Sequence, residues 1–186
     1  RIRYLESLSV TDELTGLLNR RGFELELSRA LARARRQNEA GLLVMCDLNN
    51  FKAINDTYGH PAGDEMIRQL AGLLRERVRD DGLIACRYGG EEFLLMLPGT
   101  TVAEAEALAE DIRATFESLR VVADGQAMRT TLSIGVAGFP EHGARAQRLV
   151  LRADHALYAA KLRGRNQVVV SSDELASGRA LPAAAH

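Results

Sequence analysis

Apolar residues recur along this chain at two periods, which predict where helices and strands alternate. Spacings of three and four residues predict amphipathic helices over 20–37, 51–58, 64–78 and 146–163, and from residue 101 onward. Thr101 and Glu104 form a capping box in front of the helix that starts near residue 101, and Gly164 suits the end of the last helix. Residues 59–63 predict a glycine-rich turn between two of the helices.

Short apolar runs predict the strands. The run over 41–48 is continuous, as in a central strand that is buried on both faces. Residues 83–97 predict a β-hairpin with a tight turn at Gly89-Gly90, a pair that suits such a turn because both glycines can take positive φ. Residues 121–139 predict a second hairpin around Asp124-Gly125, and residues 167–170 predict an edge strand.

The order strand, helix, strand, strand, helix, strand predicts an α+β fold with a ferredoxin-like, palm-type βαββαβ core. We expect a central antiparallel sheet flanked by helices, which we place on one face, and an added C-terminal hairpin and helix. The domain covers 11–170, while residues 1–10 have the pattern of the end of an N-terminal helical connector. The tail over 171–186 is expected to be disordered.

Composition narrows the possible functions. The formal net charge of -1 offers no field for a polyanion, so nucleic acid is not an expected partner. No apolar run approaches the roughly 18 residues that span a bilayer, so we expect a cytoplasmic protein without membrane contact in this segment. A missing N-terminal part could still anchor the full-length protein. Cys46 and Cys86 lie in apolar runs and are interpreted as small buried residues.

The stretch Arg87-Tyr88-Gly89-Gly90-Glu91-Glu92-Phe93 carries the first sign of chemistry. Glu91 and Glu92 are adjacent at the tip of the predicted hairpin, where their like charges repel. A divalent cation would remove that repulsion, and a solvated acidic turn is the alternative interpretation. If the strand that ends near Asp47 lies beside this hairpin, its carboxylate meets the tip from a second rigid element.

Further motifs accompany this stretch, and their order and spacing are specific although each alone would be weak. They are Thr11-Asp12-Glu13-Leu14-Thr15-Gly16-Leu17, Asn19-Arg20-Arg21, Asp47-Leu48-Asn49-Asn50-Phe51-Lys52, Ile54-Asn55-Asp56, Gly59-His60, Gly63-Asp64, Ser133-Ile134-Gly135-Val136-Ala137, Ala153-Asp154, Ala156-Leu157-Tyr158, Ala160-Lys161 and Gly164-Arg165-Asn166. Together they resemble the GGDEF family of diguanylate cyclases, in a GGEEF variant of the signature, over roughly residues 8–170.

The resemblance implies an output domain of a signalling protein that condenses two GTP molecules into cyclic di-GMP and releases two pyrophosphates. It implies that Asp47, the main-chain carbonyl of Leu48 and Glu91 hold Mg²⁺ or Mn²⁺, with two cations per active site. Either Glu91 or Glu92 is expected to assist deprotonation of the ribose 3′-hydroxyl. Phosphoryl transfer needs mainly charge stabilisation and alignment, and two cations held by hard oxygen ligands supply both.

The resemblance also assigns nucleotide contacts. The main-chain amides of Asn50, Phe51 and Lys52 are expected to face the phosphates. The side chains of Asn55 and Asp64 are expected to read guanine, with His60 as a neighbour. Lys161 and Arg165 are expected to contact phosphate with their positive charges. Alternatively, Asp64 is an acid at a helix N-terminus, and Lys161 and Arg165 are cations at a helix C-terminus. Asp64 also disfavours ATP, because adenine lacks the N1-H and N2-H₂ donors of guanine.

Each domain of this family holds one GTP, so the resemblance implies that catalysis requires a homodimer. We expect an upstream sensor domain or coiled coil, missing from this segment, to set that pairing. The rival hypothesis, from a different functional class, is a catalytically silent receptor that binds GTP or cyclic di-GMP and regulates a partner.

Two positions depart from the family pattern. Asn49 takes a place that is commonly aspartate, where its amide oxygen could face a cation without contributing charge and so weaken its binding. The family's inhibitory Arg-x-x-Asp is out of register, because Leu83 fills the aspartate position while Arg77 and Asp80 lie three residues early. We therefore expect weak or absent product inhibition through that site.

Overall fold

The computed structural model describes residues 9–79 and 83–173. Within them lie five helices, α1 (Arg20–Gln37), α2 (Phe51–Tyr58), α3 (His60–Arg77), α4 (Val102–Ser118) and α5 (Ala146–Leu162). Seven strands accompany them: β1 (Gly41–Leu48), β2 (Ile84–Arg87), β3 (Glu92–Pro98), β4 (Val121–Ala123), β5 (Gln126–Met128), β6 (Leu132–Phe139) and β7 (Val168–Val170). The predicted connector at 1–10 and tail at 171–186 lie mostly outside the described residues, as does Asp80.

Five strands form the main sheet in the order β2-β3-β1-β6-β7. β1 is central and pairs antiparallel with both β3 and β6, and β2 pairs antiparallel with β3. This order is that of the predicted ferredoxin-like βαββαβ core, which is therefore confirmed. β7 adds to the edge in parallel with β6, as predicted for residues 167–170.

Helices cover both faces of this sheet, so the expectation of helices on one face is wrong. Val44 and Cys46 belong to a core cluster that includes residues of α2, α3 and α4. Leu43 and Met45 point the other way, into a second cluster with residues of α1 and α5. The continuous apolar run of β1 is the physical sign of this arrangement, because a strand covered on both faces has no solvent side.

The second predicted hairpin is shorter than expected. β4 and β5 form a separate two-stranded sheet, and Asp124 and Gly125 make its turn with φ values of 49° and 75°. β6 leaves this hairpin and enters the main sheet. The hairpin is therefore inserted before the last core strand, and of the predicted C-terminal additions only α5 and β7 follow the core.

Two predicted turns also differ. α3 begins at His60 with Pro61 in its first turn, so the turn at 59–63 shrinks to Gly59, whose φ is 90°. The loop between β2 and β3 spans four residues, and neither Gly89 nor Gly90 is among the described glycines with positive φ. The tight two-residue turn predicted there is wrong. The N–H groups of Tyr88 and Gly89 both donate to the Glu92 carbonyl, at 2.8 and 3.2 Å.

Candidate active site

The end of β1 meets the acidic hairpin. Asp47 lies opposite Glu92 of β3 in the strand register. Directly opposed residues share a face of the sheet, so both carboxylates lie on the face covered by α1 and α5. The N–H of Leu48 donates to the Glu91 carbonyl at 3.2 Å, which places the Glu91 backbone beside Leu48. The structure thus places the end of β1 beside the Glu91 backbone and pairs Asp47 with Glu92, while the roles of Asp47, Leu48 and Glu91 as metal ligands stay a prediction.

Asp47 is the most enclosed acid of this group, with a side chain that is 6% exposed. Its Oδ2 accepts a hydrogen bond from Lys161 Nζ, and the two side chains form an ion pair. Burial raises the Asp47 pKa, while Lys161 and then Arg165 oppose that shift. Lys161 and Arg165, the positive side chains predicted at the C-terminal end of the last helix, therefore both favour the ionised form of Asp47.

Glu92 shares the negative charge of the site. Its pKa is raised first by burial and then by the charges of Asp47 and Asp154. A cleft of about 650 Å³ between α1 and α5 reaches Glu92 and Asp154. The negative charges of Asp47 and Asp154 thus make ionisation of Glu92 more costly, and a hard divalent cation at this place would relieve that cost.

The donor set fits a magnesium-type cation. Asp47, the Leu48 carbonyl and Glu91 are the hard oxygen donors that such ions prefer. In the part of the chain that is described, no three His, Cys, Asp or Glu side chains form a ready-made metal centre. Phosphate oxygens of a bound nucleotide are hard donors that could complete such a ligand set.

Asn49 is a structural residue, contrary to the expectation that its oxygen could face a cation. It is 3% exposed, its Nδ2 donates to Thr131 Oγ1 at 2.7 Å, and its Oδ1 accepts from Ser133 Oγ at 2.9 Å. Its carbonyl accepts from Thr130 Oγ1 at 2.6 Å. Asn49 therefore ties the junction between β1 and α2 to the start of β6.

The start of α2 follows the end of β1 closely in the chain. Asn50 is the N-cap residue, takes a left-handed conformation with φ of 57°, and makes no side-chain cap hydrogen bond. The first amides of a helix have no intrahelical acceptor, so those of Asn50, Phe51 and Lys52 lie at an N-terminus that favours anions.

Asn55 and Gly63 form a close pair between α2 and α3. Asn55 Oδ1 is buried and has no hydrogen-bond partner among the described residues. A Cβ on Gly63 would lie 1.9 Å from that oxygen, so only glycine leaves it room. Asp64 follows directly and lies beyond the first turn of α3, which holds no acidic residue, so its interpretation as a helix N-terminal acid loses support. His60 is exposed at the start of α3.

Arg87 and Asp12 hold the hairpin loop, a role that the sequence analysis did not assign. Arg87 Nε and Nη2 donate to the Gly90 carbonyl at 3.1 and 2.9 Å, and Nη1 pairs with Asp12 Oδ1 at 3.3 Å. Asp12 Oδ2 accepts from the N–H and hydroxyl of Thr15 at 3.0 and 2.7 Å. Arg87, Asp12 and Asp154 all belong to the motifs that resemble the family, and that membership is the sequence feature that could have indicated their roles.

Gly135 sets the position of α5. A Cβ on Gly135 would lie 2.3 Å from the Ala153 carbonyl and 2.4 Å from the Leu157 nitrogen, both backbone atoms. The helix therefore rests directly on β6, and its last turn carries Lys161 to Asp47.

Arg77 is engaged away from this site. Its Nε donates to Asp111 Oδ2 at 2.7 Å and so links α3 to α4. With Asp80 outside the described residues, the expected lack of product inhibition stays a prediction. No described helix has the length and apolar character of a membrane span.

Comparison with known proteins agrees with this architecture. The family described as "Diguanylate cyclase, GGDEF domain" matches residues 9–167, and the chain belongs to that family. The response regulator PleD of Caulobacter vibrioides is 43% identical over 164 residues, which cover 87% of this chain and 36% of PleD. The chain thus spans about a third of the length of that curated relative.

Two solved structures show the same fold. The GGDEF domain of DgcB from Caulobacter crescentus, in complex with c-di-GMP, superposes with a TM-score of 0.82 at 35% identity and covers 87% of this chain and 95% of that one. The active GGEEF domain of a diguanylate cyclase from Vibrio cholerae has a TM-score of 0.78 at 34% identity and covers 84% of this chain and 99% of that one. The predicted family and α+β fold are confirmed.

Proposed function

We propose that this chain is a diguanylate cyclase domain that condenses two GTP molecules into cyclic di-GMP and releases two pyrophosphates. The observation that carries the proposal is that Asp47 lies opposite Glu92 and beside the Glu91 backbone, pairs with Lys161, and is followed closely in the chain by the N-terminus of α2. Membership of the family and the likeness to the GGEEF domain of an active cyclase support it.

The cation site consists of Asp47, the Leu48 carbonyl and Glu91. It would hold Mg²⁺ or Mn²⁺, two per assembled active site. When bound, such cations supply charge neutralisation for the attacking and leaving oxygens of a phosphoryl transfer. Glu91 or Glu92 takes the proton of the ribose 3′-hydroxyl. Glu91 ends the hairpin loop that Arg87 holds through the Gly90 carbonyl, and Glu92 begins β3.

The nucleotide site lies around α2 and α3. The unpartnered Oδ1 of Asn55 supports a role in accepting a hydrogen bond from guanine, with Asp64 as the second acceptor. The phosphates lie against the amides of Asn50, Phe51 and Lys52, with His60 beside the turn. Lys161 and Arg165 add the positive charge that several phosphate groups require.

The described part of the chain offers one such nucleotide site, whereas the product contains two guanosine units. We therefore propose that two copies of the domain face each other during catalysis. This assembly predicts that turnover rises faster than linearly with protein concentration. A rate that is strictly proportional to enzyme concentration would contradict it.

The rival hypothesis of a silent receptor loses its main support. Asn49 was the departure that favoured it, and the Asn49 side chain is held in hydrogen bonds to Thr131 and Ser133. Its identity therefore says little about metal affinity. A receptor has no use for the paired acids of the hairpin tip.

The direct test is incubation of the protein with GTP and Mg²⁺ or Mn²⁺, followed by detection of pyrophosphate and cyclic di-GMP. The Glu91→Ala variant is expected to fold and to yield no product. Binding of GTP by the unaltered chain without any product, at high protein concentration and with either cation, would instead support the receptor hypothesis.

A further inference from the structure

We propose that Lys161 is a resident counter-ion of Asp47, which moves from this carboxylate to phosphate when a divalent cation and the nucleotide bind together. The inference rests on the proposed function, because the same carboxylate is the proposed cation ligand. It adds an exchange of partners that makes cation and nucleotide binding interdependent.

Asp47 needs a positive partner in the resting protein. Its carboxylate is nearly buried, faces Glu92 across the strand pair, and lies near Asp154. A buried ionised carboxylate without a partner is strongly unfavourable. Lys161 is its ion-pair partner among the described residues, although the two positions are 114 residues apart in sequence.

The Lys161 ammonium occupies the position at Asp47 Oδ2 that a metal ion bound to this oxygen would take. Its ammonium is bonded to Asp47 Oδ2, and an oxygen in that contact is shielded from a second cation by charge as well as by size. A divalent cation that arrives alone must break the ion pair and leave the ammonium close to a double positive charge. Binding of the cation alone is therefore disfavoured.

The Lys161 side chain can leave while α5 stays in place. The helix is fixed on β6 by the close contact at Gly135, where backbone atoms leave no space for a Cβ. Lys161 lies in the last turn of α5, its side chain is 32% exposed, and Asp47 is its only ion-pair partner within the described residues. Rotation of its flexible four-carbon stem can therefore move the ammonium off Asp47 without a movement of the helix.

Interdependent binding follows from this exchange. When the divalent cation binds Asp47, the nucleotide phosphate gives Lys161 a new anionic partner. Each of the two ligands therefore lowers the free-energy cost of displacing Lys161 for the other. Coupling between two sites is reciprocal and typically amounts to about 5–150-fold in affinity. We expect a value in this range for cation and nucleotide in the unaltered protein.

The first test measures Mn²⁺ binding from the electron paramagnetic resonance signal of the free ion. It compares the unaltered chain with Lys161→Met, without nucleotide and with a GTP analogue that carries a methylene bridge between its α and β phosphorus atoms. Removal of Lys161 is expected to tighten binding of Mn²⁺ alone by about tenfold and to shrink the coupling toward unity. Arg163→Met is the matched control, since it removes an exposed cation at the same helix end and should change neither quantity.

The outcomes separate this inference from the proposed function. If Lys161→Met leaves the affinity for Mn²⁺ alone unchanged or weaker, while the unaltered chain still binds Mn²⁺ with the GTP analogue, the exchange is wrong and the proposed function stands. If Mn²⁺ does not bind the unaltered chain even with the analogue, both are wrong.

A second test needs no substitution at the site, because Lys52 and Lys161 are the only lysines in the sequence. Selective ¹³C labelling of lysine therefore gives two side-chain Cε signals in a nuclear magnetic resonance spectrum. Addition of Mg²⁺ with the GTP analogue should move the Lys161 signal far more than Mg²⁺ alone at the same concentration. Equal shifts under the two conditions, or a Lys161 signal that moves in neither, would overturn the exchange.

Discussion

Substitution of Gly63 by alanine tests the guanine pocket without removing any polar group. The new Cβ would lie 1.9 Å from Asn55 Oδ1, 2.9 Å from its Cγ and 3.3 Å from Phe51 Cε2. Ordinary contact begins at 3.4 Å, so the Asn55 oxygen has to move by about 1.5 Å. A shift of this size removes it from hydrogen-bond reach of a base that it contacts in the unaltered protein.

The expected loss of affinity follows from one hydrogen bond. Asn55 Oδ1 has no partner among the described residues before GTP binds, so the group that the substitution leaves unpaired is the guanine donor. Loss of a hydrogen bond that leaves a buried partner unpaired costs about 1–3 kcal/mol. We therefore expect GTP affinity to fall by about fivefold or more, since about 1.4 kcal/mol is one factor of ten. On stability, alanine in a helix gains about 1 kcal/mol over glycine, and overpacking costs about 1–3 kcal/mol. The net effect is a destabilisation of no more than about 2 kcal/mol.

The assay is calorimetric titration with the non-reacting GTP analogue and its ATP counterpart, together with thermal unfolding. Gly72→Ala is the matched control on the same helix, because a Cβ there meets nothing within 4 Å. This control should gain stability by up to about 1 kcal/mol and bind GTP normally. If Gly63→Ala binds the GTP analogue as tightly as Gly72→Ala does, with the same preference over ATP, Asn55 does not read the base.

Three further predictions concern the acids and their support. Glu92→Gln should raise the melting temperature at pH 7 but not below pH 4.5, the ordinary pKa of a glutamate. The pKa of Glu92 is raised in the folded protein, so its carboxylate costs stability as the pH rises, and glutamine avoids that cost. An equal gain in melting temperature at both pH values would refute this. Gly135→Ala should destabilise the chain by at least about 1–3 kcal/mol in denaturant unfolding, since the obstructing atoms are backbone, and unchanged stability would show that α5 can shift freely. Asn49→Asp should lower stability by about 1–3 kcal/mol without tightening Mn²⁺ binding, whereas tighter binding would restore Asn49 to the cation site.

Local pattern was sufficient for much of the fold. The continuous apolar run predicted β1 at its observed bounds, and Thr101 caps α4 as expected, accepting from the Glu104 N–H at 3.2 Å. The placement of helices on both faces was missed although the same run indicated it. The geometry of the turns was harder to predict from the sequence. Glycine permits positive φ but does not require it, as Gly89 and Gly90 show.

Part of the candidate site was also predictable from the sequence, and part was not. The meeting of Asp47 with the hairpin tip was predicted, since it needs only two adjacent strands and a motif. The hydrogen bonds of Asn49 and the ion pair of Lys161 depend on tertiary contacts across 81 to 114 residues. No period or spacing in the sequence specifies which of several polar partners such a side chain finds.

Anomalous diffraction from crystals of the protein with Mn²⁺ and the non-reacting GTP analogue tests the central claim most directly. We predict manganese density bonded to the Asp47 carboxylate and to Glu91, with the guanine against Asn55 and the Lys161 ammonium on phosphate. Manganese bound elsewhere, with Asp47 still paired to Lys161 while the nucleotide is present, would contradict the account.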